Sequence, residues 1–303
     1  MKYTLKTHRK KILADTITPV SVYLRLRDKF PNSLLLESSD YRANDNTFSY
    51  ICCKPIASIT VKNEVITEVF PDGTTTTTSI EGDTDVVGII EAFAKKFETE
   101  DNEQKFIQNG LFGYMSYDAV RYFEDIEVTK KEAQLDVPDL YYAVYQNIIA
   151  INHFNNEAHI FSHTYNEENN LSQIAQLLTV KSFAEYHFKL EGEQQSQMSD
   201  EAFIELVKTC KKHCQRGDVF QIVPSKRFSQ GFSGDEFNVY RSLRSVNPSP
   251  YLFFFDYGNF KIFGSSPEAQ LIVKEGKAEI HPIAGTFKRT GNDEKDAALA
   301  KKL

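Results

Sequence analysis

The 303 residues, 41% hydrophobic and 25% charged, are enough for roughly two domains with a sizeable core and exclude a disordered chain. A formal net charge of −7 denies the protein the broad positive field that nucleic acid or an anionic membrane would require, and no apolar run reaches the length of a membrane span. The four cysteines are adjacent (Cys52, Cys53) or one helical turn apart (Cys210, Cys214), which makes no disulfide framework and points to a reducing cytoplasm.

The N-terminal MKYTLKTHRKKIL is basic but meets Asp15 without an apolar core, so it fails as a secretory signal. Thr18-Pro19 reads as an N-cap with proline at the first helical position, opening an amphipathic helix to about residue 30. SLLLESS predicts a buried strand, and residues 47–80 run in β-type segments with PDG at 71–73 as a hairpin turn. Residues 85–97 return to helical spacing. GLFGYMSYDAVRY (110–122) mixes aromatics with two glycines, as a strand does where another backbone packs closely. Residues 140–151 and 158–164 are further strands.

The polar LEGEQQSQMSD (190–200) reads as a linker, placing a domain boundary between 1–189 and 190–303. Beyond it Ser199 caps a helix with an apolar stripe of Phe203, Leu206, Val207, Cys210 and Cys214, closed by Gly217. Core packing accounts for those cysteines better than a metal site, because His213 lies off their shared face. A strand over DVFQIVPSKRF, a helix over 235–245 and hairpins turning at DYGN (256–259) and KEGK (274–277) complete an α+β pattern dominated by antiparallel sheet.

Two polar residues stand out. Gln221 is a primary amide in an otherwise apolar run; it either bonds neighbouring backbone or faces a pocket, where it could place a small nucleophile without taking its proton. Glu268 follows Ser-Ser-Pro before an apolar strand. Beside apolar surface a carboxyl holds its proton more tightly, as a general acid near neutral pH must, while a solvated strand end is the plain alternative.

The ordered segments GLFGYMSYDAVRYFE, GDVFQIVPSKRF, NPSPYLFF, FGSSPEAQL and HPIAGTFKRTG resemble the anthranilate synthase large subunits of the chorismate-utilising enzymes, from LLLESS onward. The resemblance implies an antiparallel-sheet-rich two-domain fold, with an effector-binding half over 1–189 and a chorismate-binding catalytic half over 190–303. It also implies a lyase that joins ammonia to chorismate, releases anthranilate and pyruvate, and serves tryptophan biosynthesis. The ammonia would come from glutamine on a glutamine amidotransferase partner subunit.

By the same resemblance Gln221 places ammonia, where relatives that add water carry a lysine because water must be deprotonated before it attacks. Glu268 protonates the departing hydroxyl, and Thr286 holds a leaving oxygen or carboxylate. Ala284 and Gly285 shape the substrate face with Thr286; aminodeoxychorismate synthases carry a lysine at the alanine, where its amine can form an adduct. Leu36, Glu37 and Ser38, with Pro250, Tyr251 and Leu252, would line a tryptophan feedback pocket, Glu37 taking the ammonium and Tyr251 the ring.

The resemblance also implies magnesium, with ligands expected beyond residue 303. The chain therefore reads as a C-terminally incomplete fragment, inactive and aggregation-prone when expressed alone. The competing readings are an aminodeoxychorismate synthase and a tryptophan-binding regulatory fragment without activity.

Overall fold

The computed structural model describes residues 2–38, 47–99, 106–128, 135–283 and 287–301. The chain splits into two units, Met1–Ala184 with Leu243–Leu303, and Glu185–Ser242.

In the larger unit β1 (Tyr3–Leu13) leads into α1 (Pro19–Leu26). A reciprocal capping box starts that helix: the Ser21 backbone N–H donates to Thr18 Oγ1 at 3.1 Å, and the Thr18 N–H to Ser21 Oγ at 3.0 Å. The helix ends four residues short of the expected limit, its remaining turn closing through Lys29 and Phe30 N–H groups on the Leu26 carbonyl. There follow β2 (Leu34–Glu37), β3 (Phe48–Lys62), β4 (Val65–Val69), β5 (Thr75–Ser79), α2 (Val86–Ala94), β6 (Phe97–Thr99), β7 (Phe112–Met115), β8 (Leu140–Asn152), β9 (Glu157–Thr164) and α3 (Leu171–Thr179). The turns at PDG, DYGN and KEGK fall where the sequence places them.

The smaller unit contributes β10 (Phe188–Ser196), α4 (Asp200–Arg216), β11 (Phe228–Gly234) and the start of α5 (Phe237–Val246). The chain returns to the larger unit for β12 (Tyr251–Asp256), β13 (Lys261–Ser266), the hairpin β14 (Ile272–Lys274) and β15 (Lys277–Glu279), and α6 (Asp293–Ala300). Among the described residues eleven strands join in one sheet, ordered β13-β12-β2-β3-β8-β9-β1-β6, with β4 and β5 extending from β3 and β7 from β8. Only β1 and β6 pair in parallel there. The fold is α+β and antiparallel-sheet-rich, as expected.

The sheet buries residues on both faces. Leu5, Ile59, Val61 and Leu140 meet Val86 and Phe93 of α2 in one cluster; Leu34, Cys52, Tyr145, Ile148, Phe161 and Phe255 form another. Burial pushes the Cys53 thiol up to about 12 and that of Cys52 well above its ordinary value, so neither is a ready nucleophile. The motif at 110–122 is anchored by Arg121, whose Nη2 lies 2.7 Å from Asp139 Oδ2, an oxygen that also accepts from the Tyr122 hydroxyl at 2.9 Å.

Two expectations are corrected in the smaller unit. The stretch read as a linker is a strand, β10, pairing antiparallel with β11 from Phe188↔Gly234 to Ser196↔Phe228. Its side chains after Phe188 are exposed, so backbone hydrogen bonding holds it with no apolar alternation to betray it. Conversely, residues 218–227 form no strand, and pairing begins only at Phe228. Their apolar side chains found no ladder partner among the described residues; Phe220 and Val223 stand exposed. In α4 Ser199 and Gly217 cap as expected, the latter at φ 80°, but within the stripe only Cys210 is buried. His213 Nδ1 sits 2.8 Å from Asp218 Oδ2.

His163 carries a pH dependence. It is buried, its Nε2–H donating to the Gln108 carbonyl at 2.8 Å and its Nδ1 accepting from the Thr7 hydroxyl at 3.0 Å, and burial lowers its pKa below the ordinary 6.5. Below pH 6.5 the unfolded chain therefore binds a proton that the folded chain refuses. The stability this histidine confers is complete above 6.5 and is lost as pH falls through its depressed folded value. Thermal melts at pH 7.5, 6.5 and 5.5 should show a decline that His163→Gln makes shallower; parallel declines would refute the assignment.

Candidate functional site

Antiparallel pairing of β2 with β12 brings together segments more than 200 residues apart, in the register Leu252↔Glu37 and Phe253↔Leu36. Leu36, Glu37 and Ser38 thus lie beside Pro250, Tyr251 and Leu252, the six residues singled out as an effector pocket. Side chains alternate across a sheet, so this register sends Glu37 and Leu252 to one face, where both are buried, and Leu36 to the other. Tyr251, next to Leu252, starts on the face opposite Glu37 and is 42% exposed.

Glu37 is not simply a waiting carboxylate. Its side chain is 3% exposed, and Arg244 from the last turn of α5 reaches it with Nε 3.1 Å from Oε1 and 3.0 Å from Oε2. A carboxylate withdrawn from water needs such a cation, and an incoming ammonium would have to compete with it. Next to them in the sheet, buried Ser49 sets its Oγ 2.7 Å from His153 Nε2. Burial lowers the His153 pKa, Glu37 raises it and Arg244 lowers it again, which ties the histidine to the same polar cluster.

Arg244, His153 and Ser49 were not anticipated from sequence. A signal for Arg244 existed, since a glutamate in an apolar strand requires a cation and RSLRSV places arginines in the helix just before NPSP. Nothing local marks His153, which arrives through the β3–β8 pairing Ser49↔Ile151.

The residues expected to do chemistry fall in both units. Gln221 lies in the smaller unit, exposed on the extended segment after α4 rather than buried in a strand. Nearby Lys226 ion-pairs with Asp200 and stands 5.2 Å over the Phe228 ring. Glu268 belongs to the larger unit, exposed on the loop after β13, where its backbone N–H donates to Ser266 Oγ at 3.3 Å. The apolar strand expected to start beside it, β14, begins only at Ile272. Ala284, Gly285 and Thr286 lie outside the described residues.

The described residues also bring together no group of three or more His, Cys, Asp or Glu side chains able to hold a metal ion. The magnesium ligands that the resemblance implies were expected beyond residue 303, not among these residues.

Residues 31–303 match the model of the chorismate binding enzyme family. Over 306 residues the chain is 33% identical to anthranilate synthase component 1 of Lactococcus lactis subsp. lactis (strain IL1403), covering 97% of this chain and 64% of that protein. It is 30% identical to the Aquifex aeolicus (strain VF5) protein of the same name, covering 97% and 61%. The crystal structure of anthranilate synthase component I from Streptococcus pneumoniae TIGR4 superposes with a TM-score of 0.65 at 26% identity, over 97% of this chain and 63% of that one. MenF, the menaquinone-specific isochorismate synthase of Escherichia coli, shares the fold at TM-score 0.51 and 12% identity. The chain spans less than two thirds of the length of these relatives.

Proposed function

This chain belongs to the chorismate binding enzyme family, and we propose that it is part of an anthranilate synthase large subunit, converting chorismate and ammonia to anthranilate and pyruvate for tryptophan synthesis. The observation that carries this reading is the match of 97% of the chain to the L. lactis component 1 at 33% identity. The name "component 1" also supports a second component, here a glutamine amidotransferase supplying ammonia. Free cysteines at all four positions suit a reducing cytoplasm, and among the described residues no helix is long and apolar enough to cross a membrane.

In this reading Gln221 orients ammonia through its amide without acting as a base, because ammonia arrives with its lone pair available. Glu268 delivers the proton to the departing hydroxyl, and Thr286 binds a substrate oxygen beside the small Ala284 and Gly285. Both catalytic side chains are exposed and must be shielded from water for this work. Residues 1–189 would serve as the regulatory half and 190–303 as part of the catalytic half. Tryptophan would act at the β2–β12 site, its ammonium sharing Glu37 with Arg244 and its ring against apolar neighbours.

The protein that carries this sequence should yield fluorescent anthranilate from chorismate, magnesium and ammonium salt, with no added lyase, and added tryptophan should suppress the signal. A product that needs a separate lyase would reassign it to aminodeoxychorismate synthesis; tryptophan binding with no turnover would make it a regulatory module.

A further inference from the structure

A second candidate site lies some distance along the sheet from Glu37, where the β3–β8 ladder is broken. The register runs Cys53↔Asn147 and Pro55↔Tyr145, then shifts before Ala57↔Val144. Between the first two pairs Lys54 stands opposite Gln146 with φ 59°, a left-handed conformation that a non-glycine residue seldom adopts. Pro55 has no N–H to give the ladder. The irregularity opens a cleft of about 190 Å³ lined by Lys54, Pro55, Ile56, Pro71, Gln146, Tyr165 and Glu167. That is well above the ~30 Å³ share of a single water.

Gln146 is the telling residue. It is 0% exposed, and its Oε1 has no hydrogen-bond partner among the described residues. Its Nε2 makes only long contacts, 3.5 Å to Ser162 Oγ and 3.5 Å to the Glu168 carbonyl. A buried acceptor left without a donor is costly, so this oxygen is set for an N–H or O–H from outside the chain. At the cleft mouth Lys54 Nζ pairs with Glu167 Oε2 at 2.6 Å, with side chains 38% and 56% exposed. An ion pair so open to water contributes little, and a ligand of matching charges can separate it cheaply.

The lining selects a chemical class. One cation already faced by a carboxylate is a poor seat for phosphate, and one carboxylate is a poor seat for a divalent cation. A zwitterion matches the charged and unpartnered groups: an ammonium between Gln146 Oε1 and Glu167, a carboxylate on Lys54, and a short side chain against Pro55, Ile56 and Pro71. We propose that this cleft binds a small free α-amino acid. The site is separate from Glu37, since the partner of Ser49 in β8 is Ile151, five residues from Gln146 and so roughly 15–20 Å along the strand.

Equilibrium dialysis with radiolabelled L-alanine and L-threonine tests this, with ethylamine and acetate as single-charge probes. The amino acids should bind at least about tenfold more tightly than either single-charge probe. Gln146→Met, close to isosteric, should weaken them about tenfold or more. Should that variant fail to fold, Lys54→Met alters only a partly exposed side chain and should cause a comparable loss. Absence of saturable uptake, ethylamine binding as well as alanine, or unchanged binding in both variants would each overturn the proposal. Unchanged binding in both variants, lost instead in Glu37→Gln, would place the amino acid at the β2–β12 site.

Discussion

Gly113→Ala is expected to unseat β7 from the sheet. An alanine Cβ at this position would lie 1.9 Å from the Tyr141 carbonyl oxygen and 2.9 Å from both the Tyr141 carbonyl carbon and the Tyr142 Cα. All three atoms belong to the backbone of β8, which is paired with β3, β9 and β7 and cannot retreat. The shorter strand must move instead, and with it Phe112, which packs in the cluster of Tyr145, Phe161 and Phe255. Overpacking of this kind costs ~1–3 kcal/mol, and the burial lost by Phe112 raises the expected total to about 3 kcal/mol. For a unit of this size that corresponds to a melting temperature lower by roughly 6–12 °C.

Gly73→Ala is the matching control. Its φ of +82° makes alanine strained, yet nothing lies within 4 Å of the new Cβ, so the loss should be ~1 kcal/mol. Equal melting shifts for the two variants would mean that the close approach at Gly113 does not exist in solution.

The second large effect concerns chemistry. In the protein that carries this sequence, Gln221→Lys should cut ammonia-dependent anthranilate formation by about 10²-fold, the scale seen when one positioned polar group is removed from an active site. It should also let water attack in ammonia's place, because a lysine amine that loses its proton can act as the base that an amide cannot. Gln221 is exposed on an extended segment, so the substitution disturbs no packed core and a loss of activity would be chemical in origin. Chromatographic separation of anthranilate from hydroxylated chorismate isomers reads the result. An unchanged rate and product ratio would remove Gln221 from the reaction.

Sequence and structure agree where caps, turns or β-rich composition mark an element. Thr18-Pro19 announced α1, SLLLESS announced β2, and the long β3–β5 run was legible because β-branched and aromatic residues alternate about clear turns. Of the two glycines read in 110–122 as marking close backbone packing in a strand, Gly113 has the Tyr141 carbonyl against it while nothing lies near Gly110, and the strand is confined to Phe112–Met115, with a 3-10 turn over Tyr117–Tyr122. Reading failed where that signal is missing or misleading. β10 is polar along nearly its whole length, yet it pairs with β11; FQIV is apolar, yet it forms no strand, because a strand exists only where a neighbour supplies hydrogen-bonding partners.

The candidate sites divide in the same way. Grouping Leu36, Glu37 and Ser38 with Pro250, Tyr251 and Leu252 was possible from resemblance alone, and the β2–β12 pairing places them side by side. That Arg244 already holds Glu37, that Tyr251 starts on the other face, and that Lys54 and Gln146 meet at a broken ladder were beyond reach. Periodicity, caps and turns are properties of contiguous residues, so the chain by itself determined α1, α2, α4 and α5, most of its strands and its antiparallel character, while α3 went unread. Which distant side chain answers a buried charge, and where an amide is left without a donor, depend on register between segments far apart in sequence; a slip of one residue would turn Glu37 away from Arg244, and only the assembled sheet decides that.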